Sequence, residues 1–193
     1  MQRPRPGLAA QVTMAPSSRP FHPPESSPPP RQAGVLLLLY PLRGELHLVL
    51  TVRPSNLNYH AGQVSLPGGG WEEGDRSLKE TALREAQEEL GIPLQNAEVL
   101  GPLTPLYVPP SHNLVHPFVA YLPYHPVFQP DPAEVAELLE VPLSTLMDPR
   151  IRQIERWERD GMEVVVPYYA VGPYKVWGAT AIILAEFLFL LKE

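Results

Sequence analysis

The chain has 193 residues, 44% of them hydrophobic, which is enough for one globular domain with a tail but not for two full domains. Fifteen Lys and Arg against 21 Asp and Glu give a formal charge of −6, which excludes a nucleic-acid binder that depends on a basic surplus. There is no cysteine, so disulfides, thiolate metal sites and cysteine nucleophiles are excluded as well.

Residues 1–32 carry nine of the 26 prolines and show neither helical nor alternating periodicity. Pro28-Pro29-Pro30 favours extended polyproline geometry, so the stretch reads as an N-terminal arm, mobile or draped on the surface. It begins with basic residues but lacks the apolar segment of a secretory signal. A single domain is expected over residues 33–193. Val35–Tyr40, a turn at Leu42-Arg43-Gly44-Glu45 and Leu46–Arg53 read as a hairpin of buried strands. Gln63–Leu66 is a third short strand, stopped by Pro67-Gly68-Gly69-Gly70. Further strands are expected within Val99–Leu106, His116–Leu122 and Glu163–Tyr169, and helices over Asp131–Leu139 and Ala179–Leu191. The last of these is strongly apolar and carries Glu186. It falls short of the about 20 apolar residues of a membrane span, so it is expected to pack in the core. A cytoplasmic protein is expected from the absence of a signal or span.

The helix Leu78–Leu90 announces both ends. Ser77-Leu78-Lys79-Glu80 is a capping box, and Leu90-Gly91-Ile92-Pro93 places glycine at the left-handed stop with proline beyond it. At 100° per residue, Ala82, Leu83, Ala86 and Leu90 share one arc, while Glu85, Glu88 and Glu89 share the opposite one. Like charges at this spacing cost roughly 0.2–0.5 kcal/mol per pair, and they sit toward the helix end that disfavours anions. Spacing alone leaves two readings open: an ordinary solvated acidic face, or oxygen ligands for a hard divalent cation such as Mg²⁺ or Mn²⁺. Gly68, Gly69 and Gly70 are likewise open to two readings, a simple turn or a backbone that approaches a phosphate-bearing ligand closely.

The run from Arg84 to Ile92, REAQEELGI, resembles the second half of the Nudix hydrolase signature G-x5-E-x7-R-E-U-x-E-E-x-G-U. The resemblance implies a mixed β-sheet sandwiched between helices in an α/β/α arrangement. It also implies that Glu85, Glu88 and Glu89 hold divalent metal ions and that Arg84 orients the glutamates by ion pairing. Arg76 stands where the signature has its first glutamate, and Asp75 lies one residue earlier. That shifted acid resembles the coenzyme A diphosphatase branch, as do Val49-Leu50-Thr51-Val52-Arg53, Gly62, Leu66-Pro67-Gly68-Gly69 and Val176-Trp177-Gly178-Ala179-Thr180-Ala181. Pro54, Asn58 and Leu66 depart from the branch pattern. Arg53 is retained, either as a phosphate-binding residue or as a plain strand-end arginine.

The resemblance implies metal-dependent hydrolysis of coenzyme A or its thioesters to 3′,5′-ADP and (acyl-)4′-phosphopantetheine, with Arg53, Gly68, Gly69 and Gly70 on the substrate. A small nucleotide-type substrate is the expected partner, with neither nucleic acid nor membrane, and a homodimer is left open. The alternatives are a diphosphatase for ADP-ribose or another nucleotide, and a catalytically silent nucleotide sensor, the latter suggested by Arg76. His112 and His116 read as loop or strand histidines, because prolines nearby oppose the helix that an H-x3-H metal site needs. Ser111 lacks the setting of a nucleophile. Tyr168, Tyr169, Tyr174 and Trp177 read as core residues or as a stacking surface for adenine.

Overall fold

The computed structural model describes residues 4–54, 62–159 and 161–192. Asn58 therefore lies outside the described residues. The apolar run of the sequence becomes β1 (Arg31–Leu42), which turns through Arg43 and Gly44, both at positive φ, into β2 (Glu45–Val52). β3 (Val64–Ser65) pairs with β2, and β4 (Gly68–Gly70) pairs with β1. After α2 (Leu78–Leu90) come β5 (Glu98–Pro102), β6 (Leu106–Val108), β7 (Asn113–Tyr121) and β8 (Glu137–Pro142). α3 (Leu143–Met147) follows, then β9 (Arg152–Arg159), β10 (Met162–Val171), β11 (Tyr174–Trp177) and α4 (Gly178–Leu191). A short α1 (Leu8–Gln11) precedes them all.

The main sheet runs β3-β2-β1-β7-β5, with β4 also on β1, β6 on β7 and β8 on β2. β1 and β7 are parallel and the other pairs antiparallel, so the sheet is mixed. β9, β10 and β11 form a second, antiparallel sheet. β1 shows why its sequence is continuously apolar. Leu36, Leu38 and Tyr40 pack with Ala82, Ala86 and Leu90 of α2, while Leu37 and Leu39 pack with Ile182 and Ile183 of α4. A strand covered by a helix on each face has no polar alternate position. Each leucine so buried stabilises the fold by about 1.5–3 kcal/mol. No helix among the described residues is long and apolar enough to cross a membrane.

Two sequence expectations are corrected. Asp131–Leu139 is not a helix: a single turn at Asp131–Val135 is held by the Ala133 N–H on Asp131 Oδ1 at 2.8 Å. Ala136 N–H then bonds Val52 O at 2.8 Å and leads the chain into β8 on the edge of β2. Pro130 and Pro132 favour the turn, and the unpaired edge of β2 outweighs the helix propensity that remains. The glycine triplet does not merely stop a strand; it is itself β4, registered as Val35↔Gly68, Gly34↔Gly69 and Ala33↔Gly70.

The arm is draped on the domain and anchored into it. Met14 is completely buried and Ala10 nearly so. Glu186, buried in the otherwise apolar α4, accepts from Gly7 N–H at 3.3 Å, Gln11 Nε2 at 2.9 Å, and Thr104 N–H and Oγ1 at 3.2 and 2.7 Å. A buried carboxylate is tolerated because these donors satisfy it. Ser17 exchanges two bonds with the backbone of Val165, at 3.0 and 3.1 Å.

α2 lies so near β1 that a Cβ on Gly34 would stand 2.5 Å from Leu78 O and 2.8 Å from Ala82 N. Both neighbours are backbone and cannot swing aside. Gly34→Ala is expected to lower stability by about 1–3 kcal/mol, read as a shifted denaturant midpoint at constant slope. An unchanged midpoint would mean that the helix does not sit at this depth.

Candidate active site

α2 carries the candidate ligands, and its ends fix their phase. Ser77 Oγ accepts from Glu80 N–H at 3.3 Å, half of the expected capping box. The other half is redirected: Glu80 takes the N–H of Arg76 at 2.9 Å and pairs with its guanidinium. Gly91 closes the helix at φ 62°.

The three glutamates do not share one environment. Glu89 is 3% exposed and accepts Gly68 N–H at 3.4 Å. Burial pushes its pKa up to about 8, opposed by the charge of Arg53 and reinforced by those of Glu134 and Glu85. Glu85 lies beneath β4, where a Cβ on Gly69 would meet its carboxylate at 2.2 Å. Burial raises its pKa against the pull of Arg84. Glu88 is exposed. Helical phase thus placed the three on one side of α2, but β4 covers two of them, which a helical wheel cannot show. Glu134 has no motif signal, since the turn before β8 brings it to Glu85 and Glu89 from far along the chain.

Arg84 organises this face. Its Nη1 lies 2.9 Å from Glu85 and 3.3 Å from Glu88, and its Nη2 donates to Gly70 O at 3.1 Å. Asp75 takes Nε and Nη2 in a two-point pair, both at 3.0 Å, and also accepts from Thr81 Oγ1 and Glu72 N–H. These donors hold the Asp75 carboxyl well below the ordinary carboxylate range and hold the Arg84 guanidinium firmly protonated. Asp75 thus braces Arg84. Arg76, at the signature position, turns outward to Glu80.

The donor set suits a hard divalent ion: it is all oxygen, and buried Glu89 has no ion-pair partner among the described residues. The ligands do not yet converge. Among the described residues no three candidate ligands form a ready cluster, because Glu85 and Glu88 both face Arg84 Nη1.

Gly68 joins this face to a cavity of about 480 Å³. Arg53, Arg19 and Arg159 line it, and among the described lining residues there is no carboxylate. Trp157 and Trp177 also line it, their rings edge to face with centroids 4.7 Å apart. Of the aromatics singled out in the sequence, Tyr168 and Tyr169 are buried elsewhere and Tyr174 bonds Glu137, so Trp177 is the one brought to the cavity. No motif in the sequence marks Trp157, Arg19 or Arg159 for this cavity. His112 is held between the Tyr107 hydroxyl at 2.9 Å and Pro28 O at 2.8 Å, while His116, on β7, meets Gln32 at 2.9 Å. The two histidines thus have separate partners.

A family model described as NUDIX domain matches residues 30–160. A protein of Photorhabdus laumondii named uncharacterized Nudix hydrolase NudL is 40% identical over 156 residues, covering 81% of this chain and 82% of that protein. The human mitochondrial coenzyme A diphosphatase NUDT8 is 36% identical over 157 residues, covering 80% of this chain and 66% of that protein. The crystal structure of RenU, a Nudix hydrolase from M. smegmatis, matches with a TM-score of 0.57 at 17% identity, covering 84% of this chain and 85% of that one, a likeness of fold. The mixed sheet between helices agrees with the fold likeness to RenU, and the matching family model and relatives show that the chain belongs to the NUDIX family as a Nudix hydrolase, acting on pyrophosphate bonds.

Proposed function

We propose that this hydrolase cleaves the diphosphate of coenzyme A or its thioesters, releasing 3′,5′-ADP and (acyl-)4′-phosphopantetheine, with Mg²⁺ or Mn²⁺ held by Glu85, Glu88 and Glu89. The cavity carries the reading. In a chain of net charge −6, its lining gathers Arg19, Arg53 and Arg159 without a carboxylate among the described residues, and Gly68 connects it to the carboxylate face. Cations beside an aromatic pair suit a ligand that is both anionic and nucleobase-bearing. The likeness to a human protein named as a coenzyme A diphosphatase supports the same substrate class.

A divalent ion held by Glu85, Glu88 and Glu89 would supply charge neutralisation at the diphosphate and a lowered pKa for the attacking water. In the reaction the water oxygen forms a bond to one phosphorus and the bridging P–O bond breaks, leaving two phosphate monoesters. The water proton passes to a carboxylate of the α2 face. Arg84, braced by Asp75, sets the rotamers of Glu85 and Glu88. Arg53 faces the diphosphate from the cavity side, next to Gly68. The silent-sensor alternative rests on Arg76 and the long arm; the Asp75 pair with Arg84 supports the catalytic reading over it.

Mass-resolved product analysis with coenzyme A, ADP-ribose and a diadenosine polyphosphate tests the reading. Hydrolysis is expected to be fastest with coenzyme A, where it releases phosphopantetheine, and to be abolished by chelator and strongly reduced in Glu89→Gln. Faster cleavage of ADP-ribose would overturn the substrate.

Asp75→Asn is expected to lower kcat/KM by roughly 10–100-fold, the range for partners that orient metal ligands. Arg76→Ala is expected to leave it unchanged, since that side chain meets Glu80 on the outer surface. Equal losses in the two variants would remove Asp75 from its bracing role.

A carboxyl group with a folded pKa raised to about 8 keeps its proton in the native state where the unfolded chain has released it. Its stabilising effect is therefore full below the ordinary carboxylate pKa and is lost as pH rises toward 8. The chelated protein is expected to lose thermal stability between pH 5 and pH 8, the ordinary-to-raised range of this group, more steeply than Glu89→Gln does. Parallel melting profiles would show that Glu89 is not desolvated.

A further inference from the structure

We propose that the Pro-rich arm is part of the substrate site, and that Arg19 binds a phosphate monoester carried by the nucleoside half of the substrate, outside the diphosphate that is cleaved. This rests on the proposed function for the position of the diphosphate. Four observations carry it.

Arg19 lines the cavity, yet it belongs to the arm rather than to any strand or helix. Its Nη2 donates to Tyr107 O at 2.6 Å, its Nε is buried without a partner, and no carboxylate among the described residues lies within ion-pair distance of it. Burial lowers its pKa to about 10, with no charge partner to oppose the effect, and at that value it is still a cation at neutral pH. A partly desolvated, unmatched guanidinium costs stability wherever an apolar side chain would serve, and an anionic ligand supplies what it lacks.

The cavity holds its cations in separate roles. Arg53 acts on Glu89, at the end where the carboxylates lie, and its own Nε is also buried without a partner. Arg19 is not among the charges that reach Glu89. A substrate whose anionic charge is confined to the diphosphate engages Arg53 and leaves Arg19 unmatched. A nucleotide with one more phosphate on its ribose can engage both, with the tryptophan pair beside its base.

The arm is built to hold this residue still. Pro16 and Pro20 flank it and fix φ on either side, and both also line the cavity. Ser17, two residues upstream, is bonded twice to Val165 of β10. Little side-chain or backbone entropy is then left to lose when a phosphate binds.

The competing role for Arg19 is a peg that pins the arm to Tyr107 O. Tryptophan-fluorescence titrations of the full chain with adenosine 3′,5′-bisphosphate and with AMP separate the two. The wild type is expected to bind the bisphosphate about tenfold or more tightly than AMP, the value of one charge-assisted contact. In Arg19→Gln the ratio is expected to fall close to one, and in Arg19→Lys, which keeps the charge and loses the fork, to an intermediate value. kcat/KM for coenzyme A relative to dephospho-coenzyme A is expected to fall by the same factor, through KM. A wild type that does not discriminate, or an Arg19→Gln variant that weakens both ligands equally, overturns the proposal in favour of the peg. If Arg19→Gln does not fold, the Arg19→Lys ratio decides, and a ratio equal to wild type overturns it. A wild type that discriminates between the two ligands but cleaves neither coenzyme overturns the substrate assignment and leaves Arg19 standing as a phosphate site.

Discussion

Everything at the candidate site depends on one close approach. Gly34, Gly68 and Gly69 form a seam where β1, β4 and α2 meet with no room for a Cβ: the nearest atoms would stand at 2.5, 2.3 and 2.2 Å respectively. At Gly68 a φ of 148° adds a second reason for glycine. Because the seam is so narrow, β4 lies directly over the carboxylate side of α2, and Glu85 and Glu89 lose water. A desolvated carboxylate is a strong ligand when an ion arrives and an unstable group when none does. Arg84 manages that tension for Glu85 and Glu88, and Asp75 holds Arg84 in place by two bonds from the loop before the helix.

Much of this was readable in the residues. The bounds of α2 follow from Ser77, Glu80, Gly91 and Pro93, because capping chemistry is local. That both faces of β1 are covered follows from its unbroken apolar run. What escaped was decided by distant partners. Asp131–Leu139 has helical spacing, yet Ala136 meets Val52 and the segment becomes the strand that completes β2. Gly68–Gly70 reads as punctuation, yet its pairing with β1 makes it a strand. The depth of Glu89 is invisible on a helical wheel, because a wheel describes one helix and not the strand that crosses it.

Charge offers a similar lesson. The chain is acidic as a whole, and a composition-level reading looks no further than exclusion of nucleic acid. The cavity reverses that sign locally with Arg19, Arg53 and Arg159, drawn from the arm, the end of β2 and the end of β9. No two are neighbours in the chain, so no basic run marks them. The fold makes the patch by closure of three segments, and the shifted acid is likewise read only in the fold: Asp75 pairs with Arg84, while Arg76 turns outward to Glu80.

Glu186 has a consequence for the order of assembly during synthesis. It clasps Gly7 and Gln11 across sequence separations of 179 and 175 residues. A ribosome makes the arm first and its clasp almost two hundred peptide bonds later, so the arm must wait, unclasped, while the sheet forms behind it. Its prolines make that wait safe, since a proline-rich segment pairs poorly with exposed strand edges. The nascent domain can thus gather its signature helix well before the wall that carries Arg19 is locked in place. Completion of the cavity becomes a late event, since Val165, which bonds Ser17, and Trp177 of the lining are also made late.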